Sequence, residues 1–88
     1  DVFDVAGVGT MTFRWWNNIG ISDSTSTTSY AFIMNDADVT AYLYNNTGIT
    51  NAAPAFRRGY GSITLKNCLG QSTDGDAFEG TFTSVEYS

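Results

Sequence analysis

Apolar and polar residues alternate along several short runs of this chain, and a period of two is the pattern of a half-buried β-strand. From Met11 to Trp16, Met11, Phe13 and Trp15 take one face, while Thr12, Arg14 and Trp16 take the other. From Asp38 to Asn45, Val39, Ala41 and Leu43 form the apolar face and Thr40, Tyr42 and Tyr44 the second face. Ser62–Asn67 repeats the pattern with Ile63 and Leu65 opposite Thr64 and Lys66, and Ala77–Thr83 sets Phe78 and Phe82 against Glu79, Thr81 and Thr83. The last two runs flank Leu69–Asp76, which holds Gly70 and Gly75 among Ser and Asp, so they are expected to form a closing β-hairpin. Phe78 and Phe82 are out of phase with Val85 and Tyr87, which a bulge near Thr83-Ser84 would reconcile.

Between these runs the signal changes. Asn17–Ser29 is polar and rich in Ser and Thr, and reads as a loop. Tyr30–Met34 is apolar throughout; Tyr30, Ile33 and Met34 fit helical spacing behind several N-cap candidates, so one short helix is expected, with a buried strand as the alternative. Asn45-Asn46-Thr47-Gly48 breaks the following strand, and Pro54 argues against a central strand over Ile49–Arg58. No internal repeat, long linker or low-complexity tract stands out. The order of elements points to an all-β protein: a small antiparallel β-sandwich or barrel with one short helix, forming a single β domain over residues 1–88.

Charge and composition then exclude chemistry. Nine acidic and four basic residues give a net charge of −5, and Arg57-Arg58 is the one basic cluster, which speaks against sequence-specific nucleic-acid binding and against anionic membranes. No apolar run approaches the ~20 residues of a membrane span. There is no histidine, so general acid–base and nucleophilic triads lose their usual member and no enzyme activity is expected. Asp36/Asp38 and Asp74/Asp76 sit in turn-like contexts, where carboxylates usually serve local hydrogen bonds. Asp74-Gly75-Asp76 with Glu79 offers oxygen ligands but lacks the spacing of a calcium loop, so no metal or other cofactor is expected. A single cysteine, Cys68, excludes an internal disulfide and reads as an unreactive, partly buried thiol. Asn45 opens an Asn-x-Thr acceptor pattern, which has meaning only in a secretory pathway.

Aromatic residues carry the functional signal. Two Trp, five Tyr and six Phe exceed what the core of an 88-residue domain needs, so some are expected at a contact surface. The alternation puts Trp16 outward beside Arg14, and Tyr42 and Tyr44 together as a ridge. Trp16, Tyr42, Tyr44, Arg14 and Tyr87 are the candidate interface residues.

The chain also resembles the C-terminal half of tailed-phage tail tube proteins. The resemblance lies in Tyr30–Ala37 as the short helix, Val39–Tyr44 as the next strand, Arg58-Gly59-Tyr60-Gly61-Ser62-Ile63-Thr64-Leu65 as the strand opening the last hairpin, and Gly75–Thr83 as the closing strand. Gly7–Trp15 is similar to an earlier strand of that family. The resemblance implies a non-enzymatic virion subunit that assembles with itself and with neighbouring virion proteins, in rings stacked into a tube. A capsid decoration protein shares these features. A carbohydrate- or peptide-binding β-module, secreted instead of virion-borne, would use Trp16, Tyr42 and Tyr44 to stack on its ligand.

Overall fold

The computed structural model describes residues 1–6, 9–82 and 84–86, the last three by backbone alone. Its strands are β1 (Phe3–Val5), β2 (Met11–Trp16), β3 (Ile19–Ser22), β4 (Phe32–Tyr44), β5 (Thr47–Thr50), β6 (Phe56–Lys66), β7 (Leu69–Ser72), β8 (Phe78–Glu79) and β9 (Ser84–Glu86). One sheet runs β1-β4-β6-β8, with β2 also paired to β4 and β9 to β6; a second sheet runs β3-β5-β7. Every described strand pairing is parallel. The all-β reading agrees with this architecture, but the antiparallel sandwich or barrel is overturned. Parallel neighbours require a long crossover between them. Here the crossover is a strand of the other sheet plus a loop, so the chain winds as a two-sheet parallel β-solenoid.

Three sequence expectations change accordingly. The closing hairpin is absent: Leu69–Ser72 is strand β7 in the second sheet, and β6 meets β8 in parallel. Part of the polar Asn17–Ser29 stretch is strand β3. The expected helix at Tyr30–Met34 is the start of β4, and no helix occurs among the described residues. That run is apolar on both faces for a structural reason. Phe32 and Met34 enter the core, while Ile33 points outward into a small cluster with Tyr30 and Ala53. The suggested bulge near Thr83-Ser84 involves a residue outside those described.

The winding exposes a repeat that the linear chain conceals. Thr12-Phe13-Arg14-Trp15-Trp16-Asn17-Asn18-Ile19-Gly20-Ile21-Ser22 aligns with Thr40-Ala41-Tyr42-Leu43-Tyr44-Asn45-Asn46-Thr47-Gly48-Ile49-Thr50 and with Ser62-Ile63-Thr64-Leu65-Lys66-Asn67-Cys68-Leu69-Gly70-Gln71-Ser72. Each unit is the end of a long strand, a two-residue corner, and a short strand. The corner residues Asn17, Asn45 and Asn67 all adopt positive φ, at 57°, 58° and 53°. Asparagine tolerates this left-handed conformation better than most residues, which explains its recurrence there.

Stacking in register makes the core a set of columns. Phe3, Phe32, Phe56 and Phe78 stack with centroids 4.7, 4.7 and 5.2 Å apart and planes within 12°. Trp15 flanks this column at a tilt, 5.5 Å from Phe3 and 6.3 Å from Phe32. Trp15, Leu43 and Leu65 form a second column, and Phe13, Ala41 and Ile63 a third. Burying a large apolar side chain contributes about 1.5–3 kcal/mol, and each ring pair adds about 0.5–1.5 kcal/mol. The second sheet approaches the phenyl column through glycine. A Cβ on Gly48 would lie 3.1 Å from the Phe56 ring and 3.2 Å from the Ala31 methyl, closer than packed carbons tolerate. Gly20 and Gly70 face Phe32 and Phe56 in the same manner.

The inner half of each corner is tied by side chains. Asn46 is fully buried, accepts from the Asn18 backbone N–H at 2.9 Å through Oδ1, and donates from Nδ2 to the Trp15 carbonyl at 2.9 Å. One coil later Cys68 occupies the equivalent position, and its thiol donates to the Leu43 carbonyl at 3.2 Å. Burial pushes this thiol above its ordinary value of 9.0. The opposite loops differ in length, spanning 23–31, 51–55 and 73–77. Together with the greater length of β4 (13 residues) over β6 (11 residues), this makes the corner asparagines recur after 28 and then 22 residues, and no single period marks the repeat.

Candidate functional site

The outward positions of β2 and of the C-terminal halves of β4 and β6 form a grid of side chains. Register sets Thr12 beside Thr40 and Ser62, Arg14 beside Tyr42 and Thr64, and Trp16 beside Tyr44 and Lys66. Because alternate residues of a strand share a face, each row is fixed by the inward row between them. Val39, Ala41 and Leu43 are buried, at 1% exposure or less, so Thr40, Tyr42 and Tyr44 must face outward.

Four sequence candidates therefore converge on one surface. Trp16 is 53% exposed, and its ring lies 6.3 Å from that of Tyr44 at an angle of 51°. Tyr44 lies 6.4 Å from Tyr42 at 42°. The Arg14 guanidinium sits 5.1 Å above the Tyr42 ring, within cation–π range. Trp15, one residue from Trp16, packs inward on the phenyl column, so the two tryptophans take opposite faces. Met11 shares the inward parity of Phe13 and Trp15 but remains 40% exposed, since β2 has β4 as its one described neighbour. Tyr87, the fifth candidate, lies outside the described residues.

The structure adds polar partners that sequence reasoning passed over. Trp16, Tyr44, Asn45, Lys66 and Asn67 line an open groove of about 360 Å³ where the sheet turns its corner. Asn17, Asn45 and Asn67 are exposed there, held at positive φ, and follow one another along the solenoid. The backbone N–H of Asn17 donates to the Tyr44 carbonyl at 3.2 Å and that of Asn45 to the Lys66 carbonyl at 2.9 Å. The corner main chain is thereby fixed while its amide side chains face solvent. The recurring pairs Asn17-Asn18, Asn45-Asn46 and Asn67-Cys68 were the available sequence signal.

A rigid strip of tilted rings edged by amides can stack on a flat apolar ligand face and hydrogen-bond its rim. Side chains on paired strands hold such a geometry more firmly than loop residues do. The nine grid positions of this face hold no carboxylate, and no group of three or more potential metal ligands occurs among the described residues. Nor is any helix among them long and apolar enough to cross a membrane.

These features define a class, the parallel β-solenoid with an aromatic outer face. No protein-family model, curated protein or solved structure matches the chain.

Proposed function

We propose that this chain is a non-enzymatic binding module whose outer face at Trp16, Tyr42 and Tyr44 takes an oligosaccharide. The observation that carries the reading is the continuous ring strip Trp16–Tyr44–Tyr42, with neighbouring centroids 6.3 and 6.4 Å apart and exposed Asn45 and Asn67 at its border. Sugar rings present apolar C–H faces to aromatics and hydroxyls to amides, and such sites combine apolar walls with a few fixed polar groups. Repeating coils also suit a repeating polymer, since solenoids present extended binding surfaces.

The test uses tryptophan fluorescence. In a Trp15→Phe background Trp16 is the only tryptophan. Titration with cellohexaose, chitohexaose and hyaluronan hexasaccharide is expected to shift its emission with at least one of them. Trp16→Ala in the unmodified chain should remove binding measured by calorimetry and leave the far-ultraviolet circular dichroism unchanged. Absence of binding to all three sugars by the folded protein would overturn the reading.

A second reading, a self-assembling virion subunit, draws support from a different surface. On the second sheet Ile19, Ile21 and Leu69 are 67%, 61% and 62% exposed, with Thr47, Ile49 and Gln71 beside them in register. Exposed apolar patches are characteristic of contact surfaces. The tail tube resemblance relied on a closing hairpin, whereas these strands pair in parallel; the exposed rings and this apolar face are what remain in its support. Mass measurement in solution separates the readings: rings or filaments favour the virion subunit, and a monomer that binds sugar favours the module.

A further inference from the structure

The charges on the same face narrow the class of sugar, an inference that rests on the oligosaccharide reading above. The chain has four cations. Two of them serve the fold. Arg57 pairs with Glu79 at 3.0 Å and donates to the Tyr30 hydroxyl, while Arg58 Nε donates to the Gly61 carbonyl at 2.7 Å. Both lie on the N-terminal half of β6, away from the ring strip.

Arg14 stands apart from this pair. It is exposed, its guanidinium lies over the Tyr42 ring, and it forms no ion pair among the described residues. Stacking on a ring face orients the guanidinium plane and leaves its N–H edges directed at solvent. Lys66 adds a second cation at the groove, but Arg14 is the cation held over a ring of the strip. Thr12 and Thr40 lie on the same face next to Arg14 and Tyr42, offering hydroxyls beside the guanidinium.

We infer that the site takes a carboxylate-bearing oligosaccharide, with a sugar ring on Trp16 and Tyr44 and the carboxylate against Arg14. A planar fork matches a carboxylate through two parallel hydrogen bonds, and charge-assisted bonds of this kind are about twice as strong as neutral ones. A guanidinium already held by Tyr42 loses little freedom on binding. The chain's net charge of −5 opposes an anion at long range. Salt screens that repulsion beyond about 8 Å at physiological ionic strength, so the contact at Arg14 decides.

The experiment compares hyaluronan hexasaccharide, which carries uronates, with neutral chitohexaose, by calorimetry at physiological ionic strength. The unmodified protein is expected to prefer the acidic sugar by about tenfold, the effect of one charge-assisted contact. Arg14→Gln should erase the preference by lowering the affinity for hyaluronan hexasaccharide about tenfold. Trp16→Ala should remove binding of both sugars. Equal affinity of the unmodified protein for the two, or a preference that survives Arg14→Gln, overturns the acidic-sugar assignment and leaves the oligosaccharide reading intact. Failure of the folded protein to bind either hexasaccharide or cellohexaose overturns both.

Discussion

Two rows of aromatic rings lie on opposite sides of the same sheet, and they are built differently. The inner row, Phe3, Phe32, Phe56 and Phe78, is nearly coplanar, with Phe32 and Phe56 at 1% exposure. The outer row, Trp16, Tyr44 and Tyr42, is tilted by 42–51° and open to solvent at its Trp16 end. One strand register positions both. Inside, Phe32 and Phe56 are enclosed by the half-buried end rings Phe3 and Phe78 and by a glycine-lined second sheet, so geometry follows packing density. Outside, no described residue presses the rings into line from the far side. The inner row therefore holds the coils together, and the outer row stays accessible at its Trp16 end.

The largest effect that would break this contrast is Phe56→Ala. Removing a ring stacked on both sides should cost about 3–5 kcal/mol in urea unfolding. Loss of under about 1 kcal/mol would mean the column is not the main source of stability.

Asn46→Ala should follow, at about 1–3 kcal/mol, because it strands the part-buried Trp15 carbonyl and Asn18 N–H. Asn45→Ala, one residue away but exposed, removes neither bond; it should cost only the left-handed strain of about 1–2 kcal/mol, and Asn45→Gly should recover it. Equal losses for Asn46→Ala and Asn45→Gly would show that the buried amide is not a tie between coils.

A smaller effect appears in alkali. The Cys68 thiol is raised above 9.0 by burial, so the folded state holds its proton longer than the unfolded chain. The stability this contributes is complete below pH 9 and is lost as pH rises through the higher folded value. Unfolding of the unmodified protein should therefore weaken more steeply above pH 9 than that of Cys68→Ala, whereas parallel stability curves would contradict a buried neutral thiol.

Trp16→Ala should have the least effect on folding, within about 0.5–1 kcal/mol by thermal unfolding, although it removes a whole indole. A loss comparable to that of Phe56→Ala would show the outer row to be core after all.

The candidate site was more legible than the fold. Trp16, Arg14, Tyr42 and Tyr44 were placed outward by alternation, and they are outward, since the side-chain period in a strand does not depend on what the strand pairs with. That same indifference hid the pairing. Gly70 and Gly75 between two alternating runs look like a hairpin turn, yet Gly70 lies within β7, where it clears space for Phe56 and Phe78. The repeated Asn corners were present in the sequence but separated by loops of unequal length.

Which side of each strand is apolar, the absence of histidine chemistry and the surplus of rings were fixed by the residues themselves. Parallel winding, and with it the meeting of Arg14 with Tyr42 and of Trp16 with Tyr44 and Lys66, was decided by tertiary structure alone. These residues belong to different coils, 28 positions apart for Arg14–Tyr42 and Trp16–Tyr44 and 50 for Trp16 and Lys66, and neighbours across coils are set by how the strands stack, which local alternation does not encode.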